Sequence, residues 1–256
     1  MKTIGIIPAR FQSIRFPGKP LALLLDKPMI QWVYEGVQQS QLFDTVLIAT
    51  DHEEIANTAR SFGAEVVMTS SEHPSGTDRI REALEIYEAQ TGQEWDLVVN
   101  IQGDEPLIEK EQLAPLIQLF QQNPAAQIGT LCTPIHDLRE LESPNVVKVV
   151  TGQEGQGLYF SRSPIPFFRD RAGLPEALAA GLYQKHIGLY AFRPAILKQT
   201  AHLAISSLER AESLEQLRWL QSGMRIFVAQ TDHTTIGVDT PEDLDRATQL
   251  IKEKRS

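Results

Sequence analysis

The sequence predicts an α/β protein with a mostly parallel central sheet, helices on both faces and one antiparallel excursion. Three observations carry this. Short β-branched runs alternate with longer amphipathic ones through the first half of the chain; the connections between them are short; and after about residue 143 the alternation gives way to a glycine-punctuated hairpin.

Taken in order, Thr3 to Ile7 is an apolar, β-branched strand. Pro8, Pro17 and Pro20 then deny the chain a helix and Gly18 permits a sharp turn, so an irregular connection runs to a helix from about Met29 to Gln39. Strand Thr45 to Ala49, helix His52 to Phe62, strand Glu65 to Met68, helix Thr77 to Tyr87 and strand Leu97 to Ile101 repeat one βαβ rhythm. Helix Glu109 to Phe120 and strand Gln127 to Pro134 extend it. Val146 to Val150 and Leu158 to Phe160 pair as a hairpin, with Gly152, Gly155 and Gly157 supplying positive-φ positions for its turn. Beyond it come a strand at Tyr183 to Phe192, a helix over Ser207 to Gln221 stopped at Gly223, and a strand at Arg225 to Ala229. The last helix covers Pro241 to Glu253, with Glu242 and Asp243 in its first turn. One domain over 1–256 is expected, its antiparallel part at about 143–192 serving as a lid or a dimer contact.

Composition narrows the class. A chain of 256 residues with 42% hydrophobic and 22% charged residues folds around a sizeable core. Its formal charge of -9 argues against a broad basic face for nucleic acid or an anionic membrane. The amino terminus lacks the features of a signal peptide, and no apolar run approaches the roughly 20 residues that span a bilayer, so the cytoplasm is expected. The single cysteine, Cys132, excludes an intrachain disulfide and a multi-cysteine metal site; in its apolar stretch it reads as a small buried hydrophobe.

Against that acidic balance, Met1 to Leu25 holds four cations (Lys2, Arg10, Arg15 and Lys19) and no carboxylate. A long connection after a first strand is uncommon unless functional, and arginine for bidentate contact beside lysine as a point charge suits a triphosphate. Asp104, in Gln102-Gly103-Asp104-Glu105-Pro106, follows an apolar strand, and ligands of parallel sheets lie beyond the carboxyl ends of strands. A magnesium ion needs only one or two such carboxylates, filling its other positions with water and phosphate oxygens. Asp239 stands at another strand-to-helix junction, where Thr240 as N-cap and Pro241 at N1 favour a role for it in complementing the helix dipole. Ser75-Gly76-Thr77-Asp78-Arg79 opens a helix whose backbone donors would suit a base or phosphate, though Ser75 and Thr77 are also ordinary helix-start residues. Pro8-Ala9-Arg10 stands where a dinucleotide oxidoreductase carries Gly-x-Gly-x-x-Gly.

Together these segments resemble the 3-deoxy-manno-octulosonate (Kdo) cytidylyltransferases, the CMP-Kdo synthetases. The resemblance runs through Ile6 to Arg10, Arg15 to Leu21, Ala49 to Asp51, Ser75 to Arg79, Gln102 to Pro106 and Val147 to Val150. It continues in Tyr159 to Pro166, His186 to Tyr190, Leu214 to Arg218 and Gly237 to Leu244, covering nearly the whole chain. It implies a Rossmann-like nucleotidyltransferase fold, magnesium, CTP, a homodimer and transfer of CMP to Kdo for lipopolysaccharide synthesis. By motif, it implies that Arg10, Arg15 and Lys19 hold the triphosphate and that Asp104 and Asp239 hold the metal. Ala9 and Ser75, Gly76, Thr77 and Arg79 would contact the nucleotide, and Gln102, Arg162, His186, Tyr190, Glu215 and Gln216 would line the sugar pocket. A sugar acid calls for a cation and for amide or carboxylate partners to its hydroxyls, which that last set supplies. Phe11 to Ile14 and Gln184-Lys185 depart from the family's commoner residues. Another sugar acid, 8-amino-Kdo or sialic acid, or a non-catalytic nucleotide-binding regulator, are the alternatives; the regulator would need neither Asp104 nor Asp239.

Overall fold

The structure is a computed structural model that describes residues 1–12, 16–233 and 236–255, and of Arg171, Lys254 and Arg255 the main chain alone. Contacts gather into two compact units, Met1–Ala114 with Thr235–Ser256 and Pro115–Thr234.

The first unit carries four parallel strands, β1 (Thr3–Ala9), β4 (Thr45–Thr50), β5 (Glu65–Met68) and β6 (Leu97–Asn100), and a two-residue hairpin of β2 (Leu23–Leu24) and β3 (Lys27–Pro28). β1 lies between β4 and β6, and β5 lies outside β4. The strands are near-continuous apolar runs because the sheet is covered on both sides: Ile4, Ile6, Ile7, Leu47, Ile48, Leu97 and Val98 are all buried. Helices α1 (Met29–Ser40) and α2 (Glu53–Ser61) step the chain from β1 to β4 to β5, and α3 (Gly76–Thr91) returns it past β1 to β6. Right-handed crossovers therefore place α1 and α2 on one face and α3 on the other. The reversal leaves a crevice at the carboxyl ends of β1 and β6, where open parallel sheets take their ligands. Gly103 keeps that crevice tight, since a Cβ there would lie 2.7 Å from the Pro8 carbonyl oxygen. The carboxy-terminal helix, Pro241–Arg255, buries Ala247 and Ile251 against Leu24, Met29 and Val238.

Regular structure reaches into the connection after β1 from both sides. β1 runs on to Ala9, and Lys19–Leu21 forms a 3-10 turn entered through Gly18 at φ 68. Phe11 anchors it: its carbonyl accepts the Gly18 N–H at 2.9 Å, and its ring stacks on His52 at 4.0 Å.

The division between the units falls within α4 (Lys110–Gln122). In the second unit β7 (Ile128–Pro134) leads through α5 (Leu138–Glu142) to the hairpin β8 (Lys148–Thr151) and β9 (Gly157–Ser161); α6 (Leu174–Ala179) then precedes β10 (Gln184–Phe192). β10 pairs antiparallel with β7 and β8, and β11 (Ile226–Gln230) pairs parallel with β7. Of the three hairpin glycines, only Gly155 takes a positive φ, at 76°. Between β10 and β11 the sequence predicts one helix over Ser207 to Gln221. Three form: α7 (Pro194–Thr200), α8 (Ser207–Glu212) and α9 (Gln216–Gln221), with Ser213 at φ 52 breaking the expected helix. Helices α5, α6 and α7, each seven residues or fewer, are too short for a periodic signal to announce them.

Candidate active site

The crevice at the ends of β1 and β6 opens into a cavity of about 450 Å³ whose lining comes wholly from the first unit. Ala9, Arg10, Lys19, Ser75, Gly76, Arg79, Gln102, Asp104 and Asp239, all named from the sequence, line it, whereas Thr77 is buried in the first turn of α3 and does not. Arg15 lies outside the described residues.

Lys19 sits at the centre of the cavity's charge. Its ammonium is 2.7 Å from an Asp104 carboxylate oxygen and 3.2 Å from an Asp239 oxygen, so both acids converge on one cation. Asp104 leaves the end of β6, and its carbonyl accepts the Val238 N–H at 2.9 Å, which brings the Asp239 segment alongside. At the helix start beside Asp239, the capping bonds run to Asp243. Thr240 accepts the Asp243 N–H, while the Asp243 carboxylate accepts the backbone N–H groups of Asp239 and Thr240 at 3.1 and 3.0 Å. These bonds hold the Asp243 carboxyl below its usual range. Asp243 thus caps this helix start, and Asp104 and Asp239 both line the cavity, Asp239 being the more exposed. Among the described residues no group of three or more His, Cys, Asp and Glu side chains is placed to hold a metal. A pair of carboxylates in a cavity that also presents Arg10 and Lys19 fits magnesium, which keeps water and phosphate oxygens as its other ligands.

Ser75 and Arg79 build the cavity wall through internal bonds. The Ser75 hydroxyl accepts the Asp78 N–H at 3.1 Å as the α3 cap and donates to the Asp78 carboxylate at 2.8 Å. The buried Arg79 guanidinium donates to Thr69 at 2.6 Å and to Asp51 at 3.0 Å.

The sequence's remaining sugar-side residues belong to the second unit. His186 and Tyr190 stand on β10 with ring centroids 5.4 Å apart, across a register shift in its pairing with β7. Such an irregularity re-aims side chains locally. The His186 Nε2 lies 2.9 Å from the Thr130 hydroxyl, which also faces the carbonyls of Ile187 and Leu189 at 3.1 and 2.9 Å. Carbonyls only accept, so the hydroxyl proton goes to one of them and Nε2–H donates to the hydroxyl, leaving His186 Nδ1 as an acceptor. Burial pushes this imidazole down to about 3, so it is neutral at ordinary pH. Burial, and then the charge of Glu215, push the Tyr190 phenol well above its usual range. Gln216 is buried at the start of α9. Arg162 behaves differently: its guanidinium donates to the backbone carbonyls of Glu212 at 2.7 Å, Pro144 at 3.0 Å and Ser213 at 3.4 Å. It fastens β9 to the α8–α9 junction. Lys185 pairs with Glu140 at 2.6 Å. Burial raises the Cys132 thiol to about 11, as an inert core residue requires.

Three residues that sequence reasoning passed over stand out. His73 lines the cavity and contacts Glu82 on α3, a pair nine residues apart that no motif announces. Lys148 is fully buried, donating to the carbonyls of Ser143 and Val146 at 2.9 and 2.7 Å and to that of Arg162; burial lowers its pKa. Glu212 accepts from the Ser161 hydroxyl at 2.6 Å and from the Arg162 N–H at 2.9 Å.

Known proteins resemble this chain in sequence and in fold. The profile of the cytidylyltransferase family matches residues 4–226. A 3-deoxy-manno-octulosonate cytidylyltransferase of Phocaeicola vulgatus is 51% identical over 259 residues, 99% of this chain and 99% of that one. One of Thermodesulfovibrio yellowstonii is 49% identical over 253 residues, with 98% of each chain covered. Among solved structures, a CMP:2-keto-3-deoxy-manno-octonic acid synthetase complexed with CTP matches with a TM-score of 0.89 at 39% identity, over 99% of this chain and 100% of that one.

Proposed function

This chain belongs to the cytidylyltransferase family, and from that premise we infer that it transfers CMP from CTP to the anomeric hydroxyl of Kdo, giving CMP-Kdo and pyrophosphate. The observation that carries the reading within the molecule is the convergence of Asp104 and Asp239 on Lys19, in a cavity also lined by Arg10. The hydroxyl oxygen forms a bond to the α-phosphorus as the bond to the bridging oxygen of pyrophosphate breaks, and the hydroxyl proton is lost to solvent or a base. Negative charge grows on the phosphoryl and leaving oxygens, and Arg10 and Lys19 offset it, so the chain works chiefly by positioning and electrostatics. Asp104 and Asp239 would hold magnesium, which would supply further positive charge beside the phosphates.

The reading extends to a homodimer that makes CMP-Kdo in the cytoplasm for lipopolysaccharide synthesis. It is supported by the acidic composition, by the lack of any helix long and apolar enough to cross a membrane among the described residues, and by exposed Leu158, Phe167 and Leu182 on the second unit. Sedimentation at micromolar concentration tests the dimer. The decisive assay is pyrophosphate release from CTP with and without Kdo and magnesium, repeated with ATP, GTP and UTP. Release should require CTP, Kdo and a divalent ion together. Release without Kdo, or undiminished by a chelator, would overturn the assignment.

A further inference from the structure

We infer that Glu82 is a positioning residue of the nucleotide cavity, holding His73 so that its imidazole meets the nucleoside end of CTP; this rests on the reading above. The segment between β5 and α3, residues 69–75, has no regular structure, yet His73, Pro74 and Ser75 form part of the cavity wall. What fixes it is one face of α3. Ser75, Arg79 and Glu82 stand four and three positions apart, neighbours on a helix surface. Arg79 takes Thr69 at 2.6 Å, and Glu82 takes both the Ser70 N–H at 2.8 Å and the His73 Nε2 at 2.6 Å. A carboxylate only accepts, so Nε2–H is the donor, and the ring is fixed with Nδ1 as its remaining polar atom. The pair is largely shielded, the side chains of His73 and Glu82 being 13% and 29% exposed. Burial opposes ionisation of Glu82, but the bonds from His73 and Ser70 outweigh it and hold the carboxyl below its usual range.

The partner chemistry follows from charge. Arg10 and Lys19, with Asp104 and Asp239, make the part of the cavity suited to a metal-bound triphosphate. His73 and Arg79 each carry a carboxylate of their own, Glu82 and Asp51, and so offer a phosphate little net charge. Polar atoms held in a fixed direction beside Pro74 and Gly76 suit a neutral ribose or base.

The test compares His73→Ala, Glu82→Ala, Glu82→Gln and the double alanine variant, reading KM for CTP and Kdo, kcat, and inhibition by CMP and by pyrophosphate. Each single alanine variant should weaken CTP and CMP about tenfold, the upper end for one lost hydrogen bond to a neutral group. Pyrophosphate inhibition, KM for Kdo and kcat should be unchanged. The double variant should be no worse than either single one, and Glu82→Gln, which keeps an acceptor, should recover most of the loss. If Glu82→Ala does not fold, His73→Ala carries the test, since it leaves the Ser70 tether in place. Unaltered CMP inhibition in His73→Ala, equal weakening of pyrophosphate, or losses that multiply in the double variant would each overturn the inference. With an active wild type, these outcomes leave the functional reading standing. A wild type that binds no CMP sinks both.

Discussion

At the scale of single residues, the cavity turns on Lys19 and the two aspartates that share it. Asp104 is partly exposed, and a partly exposed ion pair contributes about 1 kcal/mol or less to stability. On the proposed reading its worth in turnover is larger, because the charge it would fix acts on the transition state. Asp104→Asn should lower kcat on the order of 10²–10³-fold while the thermal midpoint stays near that of the parent, read by pyrophosphate release and calorimetry. Near-normal turnover would remove Asp104 from the site. Asp104 was legible as a residue beyond a strand end, whereas Asp239 was hidden by a helix start that looks complete without it; Asp243, three residues past the cap, is what completes that start. His186 gives a second residue-level prediction. In the folded chain its imidazole gives up a proton near pH 3, while an unfolded histidine holds one up to about pH 6.5. The unfolded chain therefore binds the extra proton between those limits, so the stability contributed is complete above about pH 6.5 and is lost as pH falls towards 3. His186→Gln should flatten the dependence of the thermal midpoint on pH between about 6 and 4 relative to the parent. An unchanged slope would contradict the burial of a neutral ring.

Elements were legible where their cause is local. Strands β1, β4 and β6 are apolar runs bounded by polar turns, and α3 begins at a serine cap and ends at Gly92 with φ 67. The α8–α9 region is the opposite case. Ala211, Leu214 and Leu217 recur at three-residue steps across it, and neither Gly nor Pro stands between Ser207 and Gln221, so nothing local marks a break. The break is imposed from about fifty residues away, where Ser161 and Arg162 bind the Glu212 carboxylate and Arg162 takes the Glu212 and Ser213 carbonyls. A helix continued through Ser213 would direct those carbonyls along its own axis. Two variants measure this. Ser213→Gly removes a strained left-handed serine and should stabilise by about 0.5–1 kcal/mol after the entropy cost of glycine. Glu212→Ala leaves two donors without their acceptor and the nearby buried Lys148 less compensated, and should destabilise by about 2–3 kcal/mol. Denaturant midpoints check both, and equal small effects would mean that the junction is not held from β9.

At the scale of the whole molecule, the alternation of strand and helix reads directly from periodicity, because in a parallel sheet each element buries a face set by its own sequence. The second unit is less legible in its sequence, since its short helices and shifted β10 register answer to contacts distant along the chain. How the expected contacts divide is visible only in three dimensions: the cavity-lining residues, Gln102 among them, come from the first unit, while His186, Tyr190, Glu215 and Gln216, expected at the sugar, come from the second. Binding slows exchange most where a ligand must be released before the backbone opens, so each substrate should leave its mark on its own unit. Hydrogen exchange with CTP and magnesium alone should be slowed at residues 8–10, 19–21, 73–79, 102–104 and 237–239, and little changed at 184–190 and 212–217. Adding Kdo should then slow the latter two segments. Protection of 184–190 by CTP alone, equal to that at 73–79, would show that the second unit answers to the nucleotide, and His186 and Tyr190 would lose their assignment to the sugar.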